Sequence, residues 1–399
     1  MRSRRVSLLV SGLVAVAALV ACSTEAGSPS PEKPDGNEPK IAITPDNDAD
    51  DVSPVKPIDV KVSGGELDDV SMTNEEGKEI AGELAEDKAS WHSTEPLGYG
   101  KNYKVKASAS GKGGKSTSES SFTTLQPDQT AFPSFYPPPG KPATVGVGQP
   151  IAVIFDKAPS DKKAAEKALK VTTTPQTEGG WFWWDDRTLH FRPHNYWKPG
   201  TKVKVDANIY GVDLGGGVYG ETDRSLNLAI GPAKIATVDD KTHQMIVTVN
   251  GKQVKKFPVS MGRGGNVKGE KGKNISLVTP SGTYVAQEKY KVKRMTSDSY
   301  GLPSDASLGY DEKIPFAVRI SNGGIFVHAA PWSVADQGRR NVSHGCVNLS
   351  PSAGLWFYQN FGYGDIITIK GTGKSLEPTD GFGDWNIPWD KWLEGSALN

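Results

Sequence analysis

Apolar and polar residues alternate with a period of two along most of the chain, and stretches with helical period are short and few. Val60, Val62, Val70 and Met72 alternate, Trp91 sits mid-strand, and Tyr99-Gly100-Lys101-Asn102-Tyr103-Lys104-Val105-Lys106-Ala107 leads on to Phe122. The arrangement returns later: Ile151, Val153 and Phe155 alternate, and Tyr196-Trp197-Lys198-Pro199-Gly200-Thr201-Lys202-Val203-Lys204-Val205 echoes the earlier tyrosine-corner-like stretch. This internal repeat of roughly a hundred residues predicts two tandem immunoglobulin-like β-sandwiches, over 54–127 and 128–231.

A third pattern begins near Pro232. Met245, Val247 and Val249, then Asn250-Gly251, then Val254, predict a hairpin with a type I′ turn. Further strands are expected at 283–288, 317–320, 325–327 and 366–369. Ser350-Pro351 is a good N-cap and first-turn pair, and Leu355, Trp356 and residues 358–361 suit one amphipathic helix. Residues 232–371 thus read as a β-rich domain with a short helix, followed by a tail, 372–399. In that tail Trp385, Trp389 and Trp392, with Pro388, suit one face of a short helix that packs back on a preceding domain. Trp181-Phe182-Trp183-Trp184 fits one core face plus one domain interface better than a carbohydrate-stacking platform. The fold class expected is mostly β.

Arg2, Arg4 and Arg5 precede an apolar run over 6–20, too short and wrongly flanked for a membrane span but suited to a secretory signal. It ends in Leu19-Val20-Ala21-Cys22, which looks like a bacterial lipobox. Residues 1–21 would be removed and Cys22 acylated, with several chains giving the two signals that stable anchoring needs. The expectation is a protein lipid-anchored to the cell membrane on its extracytoplasmic face. Residues 22–53 are rich in Pro, Ser, Asp and Glu and are expected to be a flexible tether.

Composition excludes more than it assigns. The 46 basic and 46 acidic residues cancel, so no nucleic-acid partner is indicated. The 45 glycines and 28 prolines suit many short strands, and two cysteines make no disulfide framework.

One of those cysteines lies in Ser343-His344-Gly345-Cys346-Val347-Asn348, and an apolar run at 325–327 delivers His328 upstream. A thiol near its usual pKa of ~8.5 needs a base, a cation or a helix N-terminus to act as a nucleophile. His328 could supply the base, and the helix expected after Ser350 could supply the terminus. Inert packing does not call for two histidines and a cysteine bracketed by serine, glycine and asparagine. A zinc site of His328, His344 and Cys346 is the sharper rival, but it lacks a fourth ligand.

A histidine, a spacer of fourteen residues and Ser-His-Gly-Cys-x-Asn resemble the catalytic domain of the bacterial L,D-transpeptidases. Thr279-Pro280-Ser281-Gly282-Thr283-Tyr284 resembles the Thr-Pro-x-Gly strand of the same domain, and the whole layout is similar to the mycobacterial type. The resemblance implies that Cys346 attacks the carbonyl joining the third residue of a peptidoglycan stem tetrapeptide to its terminal D-alanine. His328 would be the base, and backbone N–H groups around His344, Gly345 and Cys346, in the loop opened by Ser343, would hold the oxyanion. Asn348 and His344 would shape the loop and contact the donor, while Tyr310, Gly323, Gly324 and Met295 would line the cleft or its lid. Donor and acceptor would both be stem peptides, and carbapenems would acylate Cys346.

The family often has a serine after the upstream histidine, where this chain has Ala329, so an orienting group would have to be a backbone carbonyl. No cofactor is required. Asp213-Leu214-Gly215-Gly216-Gly217 lies where a close family member has a calcium loop, but Gly216 replaces the acidic partner, so a glycine turn is favoured over a site on Asp213 and Gly217. Residues 263–276, longer than the resemblance leads one to expect, read as a solvated loop rather than a flap. The other functions weighed are an L,D-carboxypeptidase, which shares the thioester, and a non-catalytic envelope-binding lipoprotein.

Overall fold

The computed structural model describes residues 38–140 and 144–399, so the expected signal over 1–21 and Cys22, expected to be acylated, lie outside the described residues. The described residues form two compact units, one of 38–47, 58–95 and 104–121, the other of 48–57, 96–103, 122–140 and 144–399.

In the first unit one sheet orders Lys40–Thr44, Asp59–Ser63, Ser90–Ser93 and Gly82–Leu84 as neighbours. Val60, Leu67, Met72, Trp91 and Val105 are buried between it and a facing sheet that includes Glu66–Asn74. Of the flexible tether expected over 22–53, residues 22–37 lie outside the described residues, and the described part is corrected. Lys40–Thr44 pairs antiparallel along its length with Asp59–Ser63, and Ala49–Val52 is also a strand. Ile41 and Ile43, alternating with exposed neighbours, give Lys40–Thr44 a half-buried face that bulk composition hides.

The second unit holds the second sandwich, the β-rich domain and the tail. The sandwich packs Pro133–Tyr136, Ile151–Phe155, Thr188–Pro193 and Gly179–Trp183 against Thr144–Val145, Arg224–Ile230, Lys202–Ala207 and Leu169–Thr174. Val153, Phe155, Leu189, Trp197, Val205 and Leu226 fill it. Trp181 is buried in that core, while Phe182 stacks on Trp392 of the tail with ring centroids 4.9 Å apart. The aromatic run is thus a core face plus an interface. The tail's helix is only Trp389–Leu393, and Trp385, Trp389 and Trp392 gather around the buried Arg192 guanidinium at 4.9, 5.1 and 4.6 Å.

Asp213 accepts from the Gly215 N–H at 2.8 Å and closes a turn in which Gly215, Gly216 and Gly217 have φ of 85°, 62° and 76°. Asp213 is the one carboxylate within the loop and Gly216 adds no side chain, so the loop by itself supplies few of the six to eight oxygens that calcium wants.

The β-rich domain is two sheets around one core. One orders Lys252–Pro258, Gln244–Val249, Lys234–Asp239, Ile366–Lys370 and Gly282–Val285, and its first hairpin turns through Asn250 and Gly251 at φ 48° and 78°, as a type I′ turn requires. The other orders Lys289–Thr296, Asp311–Arg319, Phe326–Ala329 and Val347–Leu349. The helix Pro351–Asn360, capped by Ser350, lies on the second sheet. Contact is so close at Gly354 that a Cβ there would sit 2.6 Å from that of Ala329. Residues 263–276 are not simply a solvated loop: Asn266–Lys268 and Asn274–Ser276 pair as a small antiparallel hairpin.

Candidate active site

Phe326–Ala329 and Val347–Leu349 run parallel with His328 opposite Asn348, which brings the histidine and the Cys346 loop to one sheet end. The thiol is partly buried. Phe326 N–H points at Cys346 Sγ from 3.4 Å, and the Gly324 carbonyl lies 3.8 Å from the sulfur. Burial pushes the thiol pKa up to about 11, opposed by the Phe326 N–H and the charge of Arg319. The expected help from a helix N-terminus is corrected. The strand Val347–Leu349 separates Cys346 from the Ser350 cap by roughly 10 Å of chain, and a helix terminus acts only within about one turn.

His328 is 4% exposed, and its Nδ1 lies 3.0 Å from the Ala329 carbonyl. A carbonyl can only accept, so the proton is assigned to Nδ1 and the Nε2 lone pair is left free. Burial lowers the imidazole pKa to about 4, against a small upward pull from that carbonyl. The ring is therefore neutral at physiological pH. A backbone carbonyl does the orienting that Ala329 cannot do with its side chain.

The loop is fixed by short hydroxyl side chains. Ser343 Oγ donates to the Cys346 carbonyl at 2.6 Å and accepts from the Gly345 N–H at 3.1 Å. Thr279 Oγ1 donates to the Gly345 carbonyl at 2.7 Å and accepts from the Gly262 N–H at 2.8 Å. Carbonyl and N–H of a trans peptide point in opposite directions, so holding the Gly345 carbonyl aims the Cys346 N–H the other way. Gly345 does this at φ 141°, a conformation that side chains rarely adopt. Because its own N–H is spent on Ser343, Gly345 must be struck from the oxyanion donors expected from sequence. The N–H groups of His344 and Cys346 have no hydrogen-bond partner among the described residues.

Two clefts meet at the sulfur. One, of about 380 Å³, is lined by Met295, Tyr310, His328, Trp332, Ser333, His344, Cys346 and Asn348 among others. The other, of about 200 Å³, is lined by Ile275, Ser276, Pro280, Tyr300, Tyr310, Gly323, Gly324, His344, Cys346, Lys374 and Asp380 among others. Met295 and Asn348 thus fall on one side, Gly323 and Gly324 on the other, with Tyr310 and His344 on both. Asn348 is buried and donates to Ser333 Oγ at 3.0 Å, bracing the wall of the first cleft. The ring of His344 leans on Tyr310 at 5.0 Å, and its Nε2 is buried without a partner. Burial and the Arg263 charge lower its pKa. Among the described residues no three His, Cys, Asp or Glu side chains gather to hold a metal ion, so His328, His344 and Cys346 do not form the zinc cluster weighed from sequence.

Sequence reasoning missed Ser333, Trp332 and the tail's Lys374 and Asp380, and it gave Thr279 no task. Trp332 is 54% exposed with its ring 6.0 Å from that of His328. A tryptophan four residues beyond a strand-end histidine was the available signal. Nothing in the sequence placed the tail at the cleft.

A neutral imidazole with a free Nε2, a thiol and inward-turned backbone N–H groups are the parts of a cysteine acyltransferase. Comparison with known proteins agrees. Residues 233–369 match the L,D-transpeptidase catalytic domain, and residues 49–213 match the bacterial Ig domain. The chain is 42% identical to L,D-transpeptidase 2 of Mycobacterium tuberculosis over 360 residues, 90% of this chain and 85% of that one. It is 37% identical to L,D-transpeptidase 5 of the same organism, over 99% of this chain and 86% of that one. A solved L,D-transpeptidase from Mycobacterium smegmatis aligns at 30% identity and a TM-score of 0.48, over 60% of this chain and 99% of that one. This chain belongs to the L,D-transpeptidase family.

Proposed function

We propose that the chain cross-links peptidoglycan through a thioester on Cys346. His328 Nε2 takes the thiol proton as sulfur attacks the carbonyl between the third stem residue and its terminal D-alanine. The Cys346 N–H, with that of His344, receives the developing oxyanion. The imidazolium returns its proton to the leaving D-alanine amine, and the neutral ring then deprotonates the amine of a second stem, which displaces sulfur to form a 3-3 cross-link. With the thiol raised and the imidazole lowered, proton transfer accompanies attack rather than preceding it as a standing ion pair.

The observation that carries this reading is the Nδ1 contact to the Ala329 carbonyl, which leaves Nε2 basic in the cleft that Cys346 also lines. Two further parts belong to the proposal. Carbapenems acylate the same thiol, opening their strained ring on it. Acylation of Cys22 anchors the protein on the outer face of the membrane, and the mass of the mature N-terminal peptide tests this.

The function is tested by mass spectrometry of protein 38–399 incubated with a disaccharide tetrapeptide, beside its Cys346→Ala variant. The expected product is a dimer lighter by one alanine, absent in the variant. Tripeptide alone would identify an L,D-carboxypeptidase, and no product would overturn both.

A further inference from the structure

Cys346 must carry negative charge as it attacks, in a place where burial opposes charge. The groups that face it from the clefts do little to help. Burial lowers the pKa of His328 and His344, which leaves both rings neutral, and it keeps the phenols of Tyr300 and Tyr310 protonated. Arg263, Glu312 and Lys374 line the clefts from exposed positions, where water and salt screen them. Asp336 is paired with Arg340, and Asp380 is bonded to the Gly323 N–H.

A cation lies behind the sulfur instead. Arg319 stands opposite Phe326 where Asp311–Arg319 and Phe326–Ala329 pair antiparallel, and its guanidinium lies over the Phe326 ring at 4.7 Å. The backbone N–H of the same Phe326 points at Cys346 Sγ from 3.4 Å. Arg319 lines neither of the clefts that meet at the sulfur, so its charge reaches Cys346 through packed protein, where a charge acts further than it does through water. That charge opposes the rise in the thiol pKa that burial causes. Two contacts fix the guanidinium. Its Nη1–H donates to the Ser321 carbonyl at 3.2 Å, and its Nε lies 3.7 Å from a Glu288 carboxylate oxygen that also accepts from the Tyr290 hydroxyl. Glu288 is half-exposed, so it offsets only part of the Arg319 charge.

We propose that Arg319 is a positioning residue for the nucleophile: its guanidinium, held on the Phe326 ring, stabilises negative charge on Cys346 Sγ, and Glu288 limits how much of that charge the sulfur feels. This rests on the reading above that Cys346 is the nucleophile and on no particular donor. A guanidinium stays charged at every pH at which the enzyme works, so the pair acts as a fixed field rather than a switch. Removing one charge or the other therefore moves the thiol in opposite directions, which loss of packing does not.

The test follows alkylation by iodoacetamide, an uncharged probe, in the full chain, read by mass spectrometry on the peptide that carries Cys346. At pH 8, well below the midpoint of the thiol, the rate follows the thiolate fraction. Arg319→Gln is expected to slow it by about threefold or more, the scale of one unit charge acting through partly buried protein. Arg319→Lys, which keeps the charge and loses the fork, is expected to restore most of the rate. Glu288→Gln, which still accepts from Tyr290, is expected to raise it by about twofold, because a half-exposed partner does less. Donor acylation by Arg319→Gln should slow in parallel at saturating donor, with the half-saturating donor concentration unchanged, since Arg319 lines neither cleft. Unchanged alkylation in Arg319→Gln overturns the proposal. So does slowing in all three variants, which would make the pair a brace for the turn 321–324. Should Arg319→Gln fail to fold, Glu288→Gln decides alone, and a rate that falls or stays level overturns the proposal. No donor acylation by the unaltered enzyme, with the alkylation pattern as expected, instead sinks the function proposed above and leaves the role of Arg319 standing.

Discussion

The catalytic loop and the seat of the tail are both fixed within the second unit, but by opposite means. The loop relies on short side chains bonded to backbone: Thr279 to the Gly345 carbonyl and Ser343 to the Cys346 carbonyl. Each bond adds only about 1 kcal/mol net, yet each sets a peptide plane. The tail relies on area and charge: three tryptophans around Arg192, Phe182 stacked on Trp392, and an Arg192 Nη2–H donated to the Ile387 carbonyl at 2.8 Å. Stability and alignment are thus held by different residues, and substitutions should separate them.

The largest effect is expected at Trp392, which is fully buried, with Nε1–H donated to the Gly180 carbonyl at 2.9 Å. Trp392→Ala should cost about 3–5 kcal/mol in urea unfolding, with iodoacetamide reactivity of Cys346 little changed under native conditions. A loss under 1 kcal/mol would break the comparison. Next comes Thr279→Val, which removes the bond to Gly345 and frees the Cys346 N–H to turn. We expect donor acylation to slow by about 10- to 100-fold, the scale of a misaligned oxyanion donor, while stability falls only by roughly 1–2 kcal/mol. Unchanged acylation would mean that the Gly345 plane is held without Thr279. Smaller again is Trp332→Ala, the same residue type as Trp392 but exposed beside His328. Donor acylation should fall by about tenfold while unfolding free energy stays within about 0.5 kcal/mol, as for an exposed ring that binds only ligand. A clear loss of stability would place Trp332 with the tail's tryptophans.

The same contrast explains what the sequence disclosed. Period-two alternation around Val60, Val153 and Val247 and the Asn250-Gly251 turn made the β architecture legible, because each is a local pattern with one structural solution. The Cys346 motif was legible because its glycine, cysteine and histidines are needed in one place. Ser333, Lys374 and Asp380 were not, since a lone serine, lysine or aspartate has no period and reaches the cleft only through tertiary docking. The helix start at Ser350 was read correctly and its effect on Cys346 was not, because three intervening residues formed a strand. The strand Lys40–Thr44 was missed for a related reason: two isoleucines carry little weight in a segment averaged as polar.

The smallest change is expected on acidification, and its flatness is the informative result. A histidine at its ordinary pKa of about 6.5 would be only roughly 10% basic at pH 5.5, costing close to tenfold in a rate that needs the free base. With His328 held at about 4 by burial, the base form persists, so acylation at pH 5.5 should stay within about twofold of that at pH 7. On the alkaline side the thiol, raised to about 11, should make simple alkylation climb beyond pH 9 without a plateau. The stability terms have matching signs. A depressed imidazole pKa stabilises the fold above about 6.5 and loses that contribution as pH falls through about 4, while a raised thiol pKa stabilises below about 8.5 and loses it as pH rises through about 11. An acylation profile that bends at 6.5 would show that the His328 ring leaves the Ala329 carbonyl for water before reaction, and that the loop's short bonds do not hold its base.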